Sequence, residues 1–383
     1  MEKFPKKLTD KLSKRTENNA LRSLSTPGKL IDFSSNDYLG LAKNASRNRN
    51  TQKTSEKRVQ QNGATGSRLL TGNHECYEEL EAFLQSHHKA ESALVFNSGY
   101  DANIGFFSSV PQRDDIVLFD ELAHASIRDG IQMSHAKSYK FAHNDFNNLE
   151  YHIQRIRNVN ETAEIYVVTE SVFSMDGDSP DLRALATFCK ENSCFLVVDE
   201  AHATGIFGNG TDLITELGLE KDVFARVITF GKSIGCHGAA ILGSNQLKQY
   251  LVNFARSLIY TTALPPHSVA AILSAYQYLK KESSIICKQL YQNIDYFKQE
   301  IERLQVSDKF IPSNSAIQCI MITGNDEVKR IANHLQQEGF DVKPILSPTV
   351  KDGKERLRFC LHEFNTKKEI SQVLQLLKKY MEE

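Results

Sequence analysis

The stretch Cys194-Phe195-Leu196-Val197-Val198-Asp199-Glu200-Ala201-His202 is an apolar run that delivers an acid and then an imidazole just past its carboxyl end. Such a run reads as a strand buried on both faces. Similar short runs occur at Ala93–Phe96, Ile116–Phe119, Ile165–Val168, Val227–Phe230 and Ala239–Leu242, each ending in a polar or Gly-containing turn. Helix-length segments with apolar residues three and four apart lie between several of them, for example Tyr77-Leu80-Leu84 and Leu182-Leu185-Ala186-Cys189. Alternation of strand and helix predicts an α/β architecture with a mostly parallel sheet. In such sheets ligands bind at the carboxyl ends of the strands, where Asp199 and His202 stand.

Outward from this centre, the pattern breaks at Leu264-Pro265-Pro266, and helical periodicity then runs from about His267 to Leu304. The last hundred residues hold apolar runs at Ala316–Ile322 and Leu357–Leu361, a helical segment near Asp326–Glu338, and a final helix carrying Ile370, Val373, Leu374 and Leu377. These predict a smaller α+β domain. The expected division is an N-terminal segment over 1–45, a large domain over 46–266, and a helical linker with the C-terminal domain over 267–383. The first segment is expected to lie across the others, and the stretch 44–60 is unusually polar.

With 383 residues, 40% hydrophobic and 24% charged, the chain is long enough for two or three packed units, and its composition excludes disordered and collagen-like classes. A formal charge of -1 leaves no global basic field for nucleic acid or an anionic membrane. The seven cysteines are scattered, odd in number and without a CxxC pair, which predicts reduced thiols and no metal site. No apolar run approaches the roughly 20 residues that span a bilayer, and the charged opening MEKFPKKLTDKL lacks the apolar core of a signal peptide. A cytoplasmic location is expected.

Thirty residues after Asp199, Val227-Ile228-Thr229-Phe230 leads into Gly231-Lys232-Ser233-Ile234-Gly235, which sets a lysine among small residues. A flat aromatic aldehyde bound to a lysine needs room for its ring, a carboxylate for its pyridinium nitrogen and a donor near its phenolic oxygen. Lys232, Asp199 and His202 meet those needs. Gly231-Lys232-Ser233 also has the tail of a nucleotide phosphate loop, but that pattern requires glycine at the position held by Arg226. Upstream, Phe96-Asn97-Ser98-Gly99-Tyr100-Asp101 is a strand-to-helix turn whose first N–H groups could cradle a phosphate. His124 follows the strand at Ile116–Phe119, where an imidazole could stack on a ring.

Taken together, the strings SSNDYLGL (34–41), GATGSRLLTGNH (63–74), NSGYDAN (97–103), HASIRDG (124–130), TESVFSMDGD (169–178), VVDEAHATGIFG (197–208), TFGKSIG (229–235), YTTALPP (260–266) and RLRF (356–359) resemble the α-oxoamine synthases. These are fold-type I enzymes dependent on pyridoxal 5′-phosphate (PLP), and the resemblance runs from Phe33 to Leu361. It implies the PLP-dependent transferase fold and a decarboxylating condensation of an amino acid, L-alanine or glycine, with an acyl thioester.

The same resemblance implies roles at matching positions. Lys232 would hold PLP covalently, Asp199 would pair with the ring nitrogen, His202 would contact the phenolic oxygen, and His124 would stack on the ring. Ser98, Gly99, Tyr100 and Thr229 would surround the phosphate, with Thr262 reaching it from the neighbouring subunit of a homodimer whose active sites are shared. Ser174 would lie near the cofactor. Asn36 and Arg358 would bind the amino-acid carboxylate, the latter through its planar fork. Arg22 and Thr349 match acyl-substrate positions. His237, where smaller residues are usual in the family, departs from the pattern and is expected to leave the catalytic set untouched. A non-enzymatic relative would be expected to lose the lysine or the aspartate, and both are present.

Overall fold

Seven strands form the main sheet. In chain order they are β1 (Ser92–Phe96), β2 (Ile116–Asp120), β3 (Lys137–Phe141), β4 (Ile165–Glu170), β5 (Phe195–Asp199), β6 (Ala225–Thr229) and β7 (Ala239–Gly243). The computed structural model describes residues 4–24, 28–43 and 61–383, so the polar stretch 44–60 lies outside the described residues. Across the sheet the order is β1-β7-β6-β5-β4-β2-β3. β7 runs antiparallel to both its neighbours, and the β6-β5-β4-β2-β3 pairings are all parallel. The α/β reading with a mostly parallel sheet therefore holds.

Successive residues of a strand face opposite sides, and two cores result. Leu196 and Val198 of β5 join Ile165 and Val167 of β4 on one face. Val197 joins Tyr166, Val168 and Val227 on the other. Both faces are covered, which is why the strands read as unbroken apolar runs. β4 and β5 end level, with Glu170 paired in register to Asp199, so two carboxyl groups emerge side by side at the ligand-binding end of the sheet.

Two units divide the chain: Asn36–Ser174 with Ser179–Lys288, which contains this sheet, and Met1–Ser35 with Met175–Asp178 and Gln289–Glu383. In the second, Arg356–Cys360 lies between Ile317–Met321 and Lys343–Ile345 in an antiparallel sheet. The helix Asn325–Gln337 buries Val328, Ile331, Ala332 and Leu335. Lys367–Glu382 buries Ile370, Val373, Leu374 and Leu377, and Thr366 with Glu369 closes its start as a capping box. Phe359 packs against Phe33 and Phe297 at ring distances of 6.4 and 5.7 Å. This is the smaller α+β domain that the sequence predicts. A helix of 38 residues spans Pro266–Arg303. Among the described residues, no helix is long and apolar enough to cross a membrane.

Candidate active site

Each wall of the site is the end of a strand or the start of a helix. β1 ends at Phe96, and the helix Gly99–Ser109 begins three residues later with Ser98 as its cap. The Ser98 hydroxyl accepts the Asp101 N–H at 3.0 Å and donates to the Asp101 carboxylate at 2.7 Å. In the first turn the N–H groups of Gly99 and Tyr100 point out of the helix as donors. A side chain at Gly99 would bring its Cβ within 2.7 Å of Thr229 Cγ2. The absence of one keeps open the space between this helix start and the end of β6.

After β2, His124 caps the helix Ala125–Gln132. Its backbone N–H donates to Glu170 Oε1 at 2.7 Å, and its Nδ1 lies 2.7 Å from Ser126 Oγ. Asp199, at the end of β5, accepts the Ala201 N–H through Oδ1 at 2.9 Å and the Asn103 amide through Oδ2 at 2.9 Å. Beyond β6, Lys232 lies in the tight turn to β7, where its carbonyl accepts the Gly235 N–H at 2.8 Å. Gly235 there takes φ +62°, a left-handed conformation suited to glycine.

These groups enclose one cavity of about 250 Å³, lined among others by Asn36, Ser98, Gly99, Tyr100, His124, Asp199, Thr229 and Lys232. These eight lining residues are candidates that the sequence names. His202 is buried beside the lining residue Ala201, with Nδ1 2.7 Å from Tyr38 Oη, and that hydroxyl also donates to Asn36 Oδ1 at 3.0 Å. Ser174 and Thr262 belong to the same unit without lining this cavity. The Thr262 carbonyl accepts the Asn97 amide at 2.7 Å. Arg22, Thr349 and Arg358 belong to the smaller unit. There the Arg22 guanidinium donates to the Thr349 hydroxyl at 3.1 Å, and Arg358, on the strand Arg356–Cys360, donates to the Cys360 sulfur at 2.8 Å.

Four lining residues with polar side chains escape the sequence reading as site residues: Asn103, Ser126, Glu170 and His237. His237, which the sequence reading sets outside the catalytic residues, lines the same cavity as Lys232. Its position follows from the tight turn that returns the chain from β6 to β7. Glu170 was legible in principle, as the residue in β4 paired with Asp199 in β5.

Burial dominates the electrostatics. Glu170 is 3% exposed, and desolvation, reinforced by the nearby Asp199 carboxylate and opposed by Lys232, raises its carboxyl to about 8. His124 is pulled below its ordinary value by desolvation and by Lys232, against the opposing charge of Asp199. A second polar group lies under the sheet. Arg226 donates to both Asp212 oxygens at 3.1 Å and to the His88 carbonyl at 2.7 Å, while His88 Nδ1 meets Asp212 at 2.6 Å. Against the cost of burial, these bonds from His88 and Arg226 hold the Asp212 carboxyl far below its usual range. The arginine that breaks the nucleotide-loop pattern is thus a buried ion-pair partner.

The cavity suits the flat pyridine aldehyde phosphate that the resemblance implies. A carboxylate stands on one wall, a lysine on another, and a side-chain-free helix start supplies N–H donors for the phosphate.

Residues 28–377 match the model of the family described as aminotransferase class I and II. The chain belongs to that family, as an α-oxoamine synthase. It is 37% identical to the 8-amino-7-oxononanoate synthase of Emericella nidulans over 98% of its own length and 95% of the relative's. Among solved structures, this α-oxoamine synthase is similar to the 8-amino-7-oxononanoate synthase of Francisella tularensis, with TM-score 0.76 and 28% identity over 92% of this chain and 98% of that one. It shares its fold with the serine palmitoyltransferase of Sphingomonas wittichii, with TM-score 0.87 and 24% identity over 100% and 98% of the two chains.

Proposed function

We propose that this enzyme condenses L-alanine with a pimeloyl thioester, with loss of carbon dioxide, to give 8-amino-7-oxononanoate for biotin formation. Its cofactor is PLP. The carrying observation is the single cavity that brings Lys232, Asp199 and His124 together at the carboxyl ends of the strands. Bound there, the cofactor supplies an electron sink for negative charge developing at the amino-acid Cα.

The protein's residues do the rest. Asp199 is the acid that keeps a positive charge at the ring nitrogen, and its two hydrogen bonds from Ala201 and Asn103 fix its orientation. Lys232 would hold the cofactor through its amine, and the same amine would take the Cα proton and return one at the end of the cycle. His124 would steady the ring and polarise the thioester carbonyl as the acyl group is attacked. Asn36 and Arg358 hold the amino-acid carboxylate. Arg22 and Thr349, already hydrogen-bonded to each other, contact the acyl chain. His202 would bond the phenolic oxygen, Ser174 would hold the cofactor's flank, and Thr262 would complete the phosphate site of the partner subunit in a homodimer.

Borohydride reduction of the holoenzyme followed by peptide mapping tests the anchor: the tag belongs on Lys232, and a tag elsewhere overturns the assignment. Parallel assays of L-alanine and glycine with pimeloyl and acetyl thioesters test the substrates. Faster turnover of glycine would move the reading to a glycine C-acetyltransferase. Preference for serine with a long-chain acyl thioester would move it to a serine palmitoyltransferase-like enzyme. Sedimentation that finds active monomer alone would remove the shared-site homodimer.

A further inference from the structure

We infer that Asn103 and Ser126 are positioning residues that fix the protonation pattern of His124, so that its Nδ1 is an acceptor and its ring proton sits on Nε2. The chain of contacts has only one consistent direction. An ionised Asp199 can only accept, so the Asn103 group facing its Oδ2 at 2.9 Å is the amide nitrogen. The same nitrogen lies 3.0 Å from Ser126 Oγ and donates its second hydrogen there. The Ser126 hydroxyl then directs its own proton to His124 Nδ1, 2.7 Å away.

An independent contact reaches the same nitrogen. The Ser126 backbone N–H, which can only donate, points at His124 Nδ1 at 3.2 Å. A proton on Nδ1 would face the Ser126 N–H, which cannot accept it. The imidazole is therefore neutral, and Nε2–H is the donor left for the cavity. Glu170 holds the His124 backbone N–H at 2.7 Å, so the residue is fixed through both its main chain and its ring. In this orientation Asn103 Oδ1 is buried and has no hydrogen-bond partner among the described residues. The amide accepts that cost to keep both of its hydrogens on Asp199 and Ser126, since a flip would set oxygen against carboxylate.

The consequence is a link between two roles of the site. The carboxylate reserved for the ring nitrogen also orients, through one amide and one hydroxyl, the imidazole reserved for the acyl group. The inference concerns the cofactor pocket and is independent of which amino acid or thioester is used.

The experiment is nitrogen NMR on histidine-labelled holoenzyme, with His124 assigned among the 12 histidines by the spectrum of His124→Asn. The expected signature is an unprotonated Nδ1 and a protonated Nε2. Ser126→Ala should move His124 toward a mixture of both forms and lower kcat about 3- to 10-fold, the worth of one neutral hydrogen bond, with KM nearly unchanged. Ser126→Thr, which keeps the hydroxyl, should restore the signature. Asn103→Leu should disturb both His124 and the visible absorbance of the bound cofactor, whereas Ser126→Ala leaves that absorbance in place. A proton on Nδ1 in the unaltered enzyme would overturn the inference without recourse to any variant. An unchanged His124 signature in both Ser126→Ala and Asn103→Leu would overturn the positioning role.

Discussion

Glu170 Oε1 accepts the backbone N–H of His124 at 2.7 Å, so a carboxyl at the end of one strand holds the start of the helix that follows another. Burial raises this carboxyl from 4.5 to about 8, so the folded protein keeps its proton where the unfolded chain has lost it. Glu170 is therefore compatible with full stability below about 4.5, and its contribution is lost as pH rises toward about 8. Glu170→Gln keeps an oxygen for the His124 N–H and removes the titration. In cofactor-free protein, thermal melts should show the variant gaining a few degrees over its parent near pH 8 and converging with it near pH 4.5. Parallel melting curves across that window would reject the raised carboxyl.

Gly99→Ala places a methyl group 2.7 Å from Thr229 Cγ2 and narrows the phosphate cradle. PLP affinity should fall by about 10- to 100-fold, the effect of 1.4 to 2.7 kcal/mol of overpacking, read by fluorescence titration of the stripped protein. Thr229→Ser removes Cγ2, so the double variant should recover most of that loss. Failure to recover would mean that the helix start itself had been distorted.

Arg226→Met should unfold more readily by about 3–5 kcal/mol in denaturant titration, because Asp212 would be left charged and buried without the two hydrogen bonds from Arg226. Asp212 also accepts the Thr215 N–H at 2.7 Å as the cap of the helix Leu213–Leu217. Removing both charges, with Asp212→Asn added to Arg226→Met, should cost less than Arg226→Met alone.

Arg22 is exposed, so its bond to Thr349 contributes about 0 to 1 kcal/mol to folding. Arg22→Ala should leave the melting temperature within about 1 °C of its parent's. In the acyl-binding role proposed above, it should raise KM for the thioester several-fold while leaving KM for L-alanine alone. Equal effects on both substrates would place Arg22 outside the acyl site.

The legibility of the fold follows burial. Six of the seven main-sheet strands are apolar runs covered on both faces, and each is readable from Ala93–Phe96 through Ala239–Leu242 to within a few residues. β3 is the exception. Its sequence Lys-Ser-Tyr-Lys-Phe leaves Lys137, Ser138, Tyr139 and Lys140 exposed at the sheet margin, so neither an apolar run nor alternation marks it. In the site, residues with an intrinsic chemical signature were legible: a lysine among glycines and an acid or imidazole at the end of an apolar run. Asn103 and Ser126 carry no such signature. They sit inside helices, and their function comes from which neighbours the packing brings within 3 Å. Glu170 hid for a related reason, since its importance depends on strand register.

The sheet margin at β3, beyond which no further strand pairs among the described residues, has a bearing on how the protein behaves at high concentration. Its outward amides and carbonyls offer a template for another chain's strand, yet any approaching strand must pass the ammonium groups of Lys137 and Lys140. Those two lysines would guard against fibre-like growth, and neutralising both should raise turbidity during refolding while leaving turnover of the folded enzyme unchanged.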